Sequence, residues 1–192
     1  MDNEVISYSL NYEPKWGQLG TKAGILIEIY GNSVNTPNYN QQSFQKQLEV
    51  QRDGFNANRM WTRNANGNLV DAPNSVKTDR YLYTSTDGWI DMHHFFYAAA
   101  LSEQYSPSYA MIATTVAERI QWLRNNVSGF SYEDLPSNAA GIRFYDQYQS
   151  SIKSGAISLK DAVSMFLDNM NPLDPTQAPN FAYIPHIVDG NV

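Results

Sequence analysis

The run Ile90-Asp91-Met92-His93-His94-Phe95-Phe96-Tyr97-Ala98-Ala99-Ala100-Leu101 decides how the chain folds. Apart from Asp91, the two imidazoles and the Tyr97 hydroxyl, it is apolar on every side. A helix that is apolar all round is buried rather than amphipathic. The run therefore predicts a central helix from about Ile90 to Gln104, enclosed by other elements. Asp91, His93 and His94 are then carried away from water, where each unpartnered polar group costs roughly 1–3 kcal/mol. Successive helical residues lie about 100° apart, so the two imidazoles point in different directions. Asp91 and His94 are three apart and share a face.

Downstream, the pattern stays helical. Ser106 or Ser108 can cap a second helix over about Tyr109 to Asn125, with Tyr109, Ile112, Val116, Ile120 and Leu123 as its apolar stripe. Ser131-Tyr132-Glu133-Asp134 resembles a capping box and opens a segment reaching about Ser150, interrupted or redirected at Pro136. Ala139, Ala140 and Gly141 carry little side chain, so a neighbouring helix can approach closely. Ser158-Leu159-Lys160-Asp161 is a second capping box, opening an amphipathic helix that Asn171-Pro172 stops.

Upstream, the signals are mostly of strands and turns. Val5–Tyr12 alternates apolar and polar, and Ile25, Ile27 and Ile29 alternate within Gly24–Tyr30, so both read as strands. Pro37 marks a loop, and Gln42–Arg52 suits a short helix with Phe44, Leu48 and Gln51 on one side. Asn64-Ala65-Asn66-Gly67-Asn68 reads as a hairpin turn, and Arg80–Thr84 as a strand ended by Asp87-Gly88. Together these predict one α+β domain over residues 1–192: a β-rich part (1–88) packed on a bundle of about four helices (89–171), with an extended Pro-rich tail (172–192).

Composition sets limits. The chain has 192 residues, 42% of them hydrophobic and only 17% charged, which suits one compact domain. Its net charge is −6 and its 13 basic residues are scattered, which argues against a nucleic-acid partner. No stretch is long and apolar enough for a membrane span. The acidic start, Met1-Asp2-Asn3-Glu4, lacks the features of a signal peptide, so the expected place of synthesis and folding is the cytoplasm. With no cysteine, thiolate zinc sites and cysteine catalysis are excluded.

The candidate site residues follow from chemistry. Asp91, His93 and His94 could hold a divalent metal, zinc above all, or could form a structural His–Asp hydrogen bond at a helix start. Glu118 lies among Met111, Thr115 and Trp122 at helical spacing, where a raised pKa would suit a general acid or base; otherwise it is a surface glutamate. Glu133, Asp134 and Asn138 lie at a cleft or serve as helix caps. Asp146 is a weaker addition on nearly the face of Asn138. His186 follows Pro185 in the tail and reads as a packing or surface residue.

Asp91-Met92-His93-His94-Phe95-Phe96, followed by Ser131-Tyr132-Glu133-Asp134-Leu135-Pro136-Ser137-Asn138-Ala139-Ala140-Gly141, resembles a group of bacterial toxin-like domains. These domains end large polymorphic toxins or travel as cargo of contractile injection systems, and the likeness spans about Trp89 to Phe144. The resemblance implies a bacterial effector, delivered by an injection or secretion apparatus, that acts on the envelope of a target cell.

Three functions are then open. The first is a metal-assisted hydrolase of peptidoglycan or peptide, with Asp91, His93 or His94 and Glu118 on the ion and Glu133 or Asp134 as base. The second is a metal-free glycan hydrolase pairing Glu118 with Glu133, Asp134 or Asp146. The third is a non-catalytic cargo or structural protein of a phage-like particle, its buried polar groups serving only to lock the fold.

Overall fold

A computed structural model describes residues 19–57, 61–63, 69–71, 80–123, 134–174 and 177. Six helices and five short strands run in the order β1 (Leu19–Gly20), α1 (Lys22–Val34), α2 (Phe44–Ala57), β2 (Trp61–Arg63), β3 (Leu69–Asp71), β4 (Tyr81–Thr84), β5 (Gly88–Asp91), α3 (Met92–Gln104), α4 (Pro107–Leu123), α5 (Asp134–Lys153) and α6 (Leu159–Asn169). A 3-10 turn, Tyr39–Gln41, joins α1 to α2. The fold is broadly α+β but mostly helical, and the four helices expected after residue 89 are α3 to α6.

Helix α3 is the centre. Met92, Phe95, Phe96, Ala98 and Ala99 are fully buried, and α2, α4 and α5 all pack on it. Its rings build an aromatic core: Phe96 stacks on Phe55 of α2 at 5.7 Å, and Phe95 meets Phe144 of α5 at 5.1 Å and Phe166 of α6 at 5.6 Å. Each such ring taken from water contributes about 1.5–3 kcal/mol. Small residues set the α3–α5 distance: a Cβ on Gly141 would overlap the Phe95 carbonyl oxygen. The Ala139-Ala140-Gly141 run thus provides the close approach its composition suggests.

Two sheets border the helices. In the larger, β4 lies between β1, which it pairs in parallel, and β5, which it pairs antiparallel with Tyr81 opposite Asp91. In the smaller, β2 and β3 pair antiparallel, Arg63 opposite Leu69. That pairing brackets the expected Asn64–Asn68 turn, whose own residues lie outside the described ones, as do Val5–Tyr12 and His186. After α6, Leu173 donates its N–H to the Tyr83 carbonyl at 2.9 Å, tying the start of the tail to β4.

Several expectations are corrected. Gly24–Tyr30 is not a strand but the middle of α1. Ile25 and Ile29, four apart, are fully buried, whereas Ile27 is 70% exposed. Thr21 starts the helix by accepting the Gly24 N–H at 3.1 Å. Two isoleucines out of three fit helical spacing as well as strand spacing, and the cap settles which forms. With α1 and α2 in place, the described part of residues 1–88 is not β-rich. The central helix begins at Met92, because Ile90 and Asp91 belong to β5. Pro136 neither breaks nor redirects α5: it sits in the first turn, where a helix needs no donor from it. Ser106 and Ser158 do cap α4 and α6, accepting the N–H groups of Tyr109 and Asp161 at 3.1 Å each. The stripe on α4 faces outward: Tyr109, Ile112 and Val116 are 48%, 65% and 46% exposed.

Candidate functional site

The candidate residues meet where β5 becomes α3 and where α5 begins. Asp91 ends β5 and caps α3, its Oδ1 accepting the His93 N–H at 2.8 Å. Hairpin pairing sets Tyr81 against Asp91, which brings Arg80 alongside. The guanidinium donates from Nε to Oδ1 at 2.8 Å and from Nη2 to Oδ2 at 2.6 Å, with both side chains under 10% exposed. Burial pushes the Asp91 carboxyl up, but the charge and hydrogen bonds of Arg80 outweigh it and hold the pKa at about 2. The Asp91 N–H donates to Ser137 Oγ of α5 at 2.7 Å. Asp91 therefore ties β4, β5, α3 and α5 together.

The two imidazoles diverge, as helical geometry requires, with rings 5.5 Å apart and nearly perpendicular. His93 turns to α2, its Nδ1 lying 3.0 Å from the Arg52 carbonyl oxygen. A carbonyl only accepts, so Nδ1 carries the proton and Nε2 the lone pair. Burial lowers the pKa of His93 to about 4; Asp91 opposes this, while Arg80 and His94 add to it. The ring is thus neutral at pH 7, and it stacks on Tyr97 one turn later.

His94 turns to α5. Its Nε2 lies 3.4 Å from Oδ1 of Asp134, with the imidazole 21% exposed and the carboxylate 4%. Asp134 occupies the first turn of α5, where the helix dipole favours negative charge. One turn further, Asn138 is buried, and neither end of its amide has a hydrogen-bond partner among the described residues. Buried amides are nearly always paired, so one with both ends unspent, a turn from the carboxylate that His94 approaches, is suited to a polar ligand.

Of the predicted residues, Asp91, His93, His94, Asp134 and Asn138 come together around the start of α3. The Glu118 side chain and the whole of Glu133 lie outside the described residues. Asp146 is exposed, about 18 Å along α5 from Asp134 at 1.5 Å per residue. Asp91 is buried and already neutralised by Arg80, so it serves the fold rather than offering itself to an ion. Among the described residues, no three His, Asp or Glu side chains are grouped to hold a metal.

Arg80, Ser137 and Arg52 were not foreseen. Arg80 had a signal: counting antiparallel pairs back from the Asp87-Gly88 turn sets residue 81 against Asp91. Ser137 and Arg52 enter through tertiary packing and had none. No known protein family, curated protein or solved structure matches the chain.

Proposed function

We propose that the chain is a bacterial effector hydrolase, delivered as cargo into a target cell, whose acid–base centre is the His94–Asp134 pair. The observation that carries this reading is the 3.4 Å approach of His94 Nε2 to a buried carboxylate on a neighbouring helix, beside the unspent amide of Asn138. In this reading His94 takes a proton from the attacking water, Asp134 balances the charge formed on the ring, and the imidazolium returns the proton to the leaving group. Asn138 holds the carbonyl or acetal oxygen of the substrate. The substrate is a bond of the target envelope, in peptidoglycan or peptide.

A divalent ion, zinc first, is the second reading of the same two residues. Two ligand atoms each about 2.0–2.1 Å from one tetrahedral ion lie about 3.3 Å apart, close to the separation seen here. His94 and Asp134 would hold the ion, and Glu133, adjacent in sequence, is the candidate third ligand. Zinc supplies a water acidic enough to ionise near pH 7.

The test is release of soluble fragments from peptidoglycan sacculi by wild type, His94→Ala and Asp134→Asn, each with and without chelator. Expression in the cytoplasm and periplasm of a test bacterium reports toxicity alongside. Activity lost in both variants supports the centre, and its loss to chelator, with stoichiometric zinc in the untreated protein, selects the second reading. Folded variants as active as wild type would overturn both readings of this centre, and a wild type that releases no fragments would leave a non-catalytic cargo.

A further inference from the structure

A second site lies at the other end of the bundle. A groove of about 650 Å³ runs between the last turns of α1, the 3-10 turn, and the connection from α5 to α6. That volume falls in the range of ligand clefts, about 300–1000 Å³. Ile152 lines it near the end of α5, about 27 Å along the helix axis from Asp134. It is therefore separate from the His94 centre.

Its chemistry is unlike that of the molecule as a whole. In a chain of net charge −6, no carboxylate lines the groove among the described residues, and Lys160 is the one cation among them that does. One wall is apolar: Tyr30 and Val34 are each 58% exposed. The Lys160 ammonium lies 5.8 Å from the centre of the Tyr30 ring. The opposite rim presents Asn38, Asn40 and Gln41, exposed amides that make no side-chain hydrogen bonds among the described residues.

The rim is fixed from beneath. Gln51, fully buried on α2, has its Nε2 3.0 Å from the Tyr39 hydroxyl, 3.2 Å from Ser33 Oγ and 3.2 Å from the Ile29 carbonyl. Its Oε1 accepts from Asn32 Nδ2 at 3.1 Å. Gln42 ties its side chain to the Pro37 carbonyl, and Asn38 holds a left-handed φ of 55°. The backbone that carries the amides is thus ordered by folding, so a ligand bears only the cost of ordering their side chains.

We infer that this groove binds an oligosaccharide, neutral or carrying a single carboxylate. A sugar ring has an apolar face that lies on an exposed aromatic such as Tyr30, and hydroxyls that both donate and accept. Amides match those hydroxyls because they too do both. Lys160 is placed for one carboxylate or acetamido oxygen. One cation is too few for a nucleic acid, whose binding needs several phosphate contacts. This inference does not rest on the catalytic reading: a chain without hydrolytic activity would still bind.

The experiment is calorimetric titration of the full chain with two probes: a β-1,4-linked N-acetylglucosamine tetramer, and the disaccharide of N-acetylglucosamine and N-acetylmuramic acid. The expected result is saturable binding of at least one, with Kd below about 1 mM, weakened about tenfold or more by Tyr30→Ala and several-fold by Gln41→Ala. Lys160→Ala should weaken the acidic sugar alone. Binding should be unchanged in His94→Ala, which separates this site from the catalytic one, and in Ile112→Ser on α4. Both Tyr30 and Gln41 are exposed, so their variants fold, and thermal melting confirms it. Absence of saturable binding to either probe, or equal binding in folded Tyr30→Ala and Gln41→Ala, would overturn the assignment.

Discussion

The two sides of the α3 N-terminus handle buried polarity in opposite ways. On one side, Arg80, Asp91, His93 and the Arg52 carbonyl satisfy one another, and the charge of Asp91 is matched by two hydrogen bonds from Arg80. On the other, His94 Nε2 and Asp134 Oδ1 approach at 3.4 Å, and the Asn138 amide has no hydrogen-bond partner among the described residues. A saturated network holds a fold, whereas one with spare hydrogen-bonding capacity can take up a ligand. Adjacent histidines of one helix thus fall into different categories, decided by what stands opposite each ring.

The sharpest way to break this contrast is Arg80→Met. It strands a buried carboxylate and should cost about 3–5 kcal/mol, read as a lower denaturation midpoint with an unchanged slope. A loss under 1 kcal/mol would mean that Asp91 is not held as described.

The second effect is set by pH. The folded pKa of His93, about 4, lies below its ordinary value of 6.5, so the unfolded chain binds that proton more tightly. Its contribution is therefore complete above pH 6.5 and is lost as pH falls from there to 4, a change of about 3 kcal/mol. Asp91, lowered from 3.8 to about 2, adds a separate loss only below pH 3.8. Denaturant melts from pH 7 to 4.5 should show the first decline in wild type and lack it in His93→Gln.

A smaller effect has the opposite sign. Asn138→Leu replaces an unsatisfied amide by a side chain of similar size and should stabilise by about 1–2 kcal/mol while abolishing activity. The smallest change in stability belongs to His94→Ala. It should move stability by about 1 kcal/mol or less, because the ring is partly open to water, yet remove hydrolysis. Strong destabilisation there would place His94 with the structural side.

Much of this was legible in the sequence. The all-round apolar run gave the buried helix, its adjacent histidines gave the diverging rings, and Ser158 with Asp161 gave the start of α6. The small residues at 139–141 gave the close approach of α5 to α3. The failures have physical causes. Ile25, Ile27 and Ile29 satisfy two periodicities at once. On α4, the groups that pack inward are small: Ala110 is fully buried and Thr114 is 3% exposed. A stripe of large residues marks an apolar face, but close packing selected the small one. Arg80 depended on strand register, and the Asn138 amide on its tertiary surroundings, which no local pattern reports.

The hydrogen bond from the Asp91 amide to Ser137 has a kinetic corollary. That amide can meet solvent deuterium only when its contact with Ser137 opens, which requires the first turn of α5 to lift from the end of β5. Its exchange rate should therefore report the separation of α5 from β5, making it a single-residue probe of that opening under native conditions.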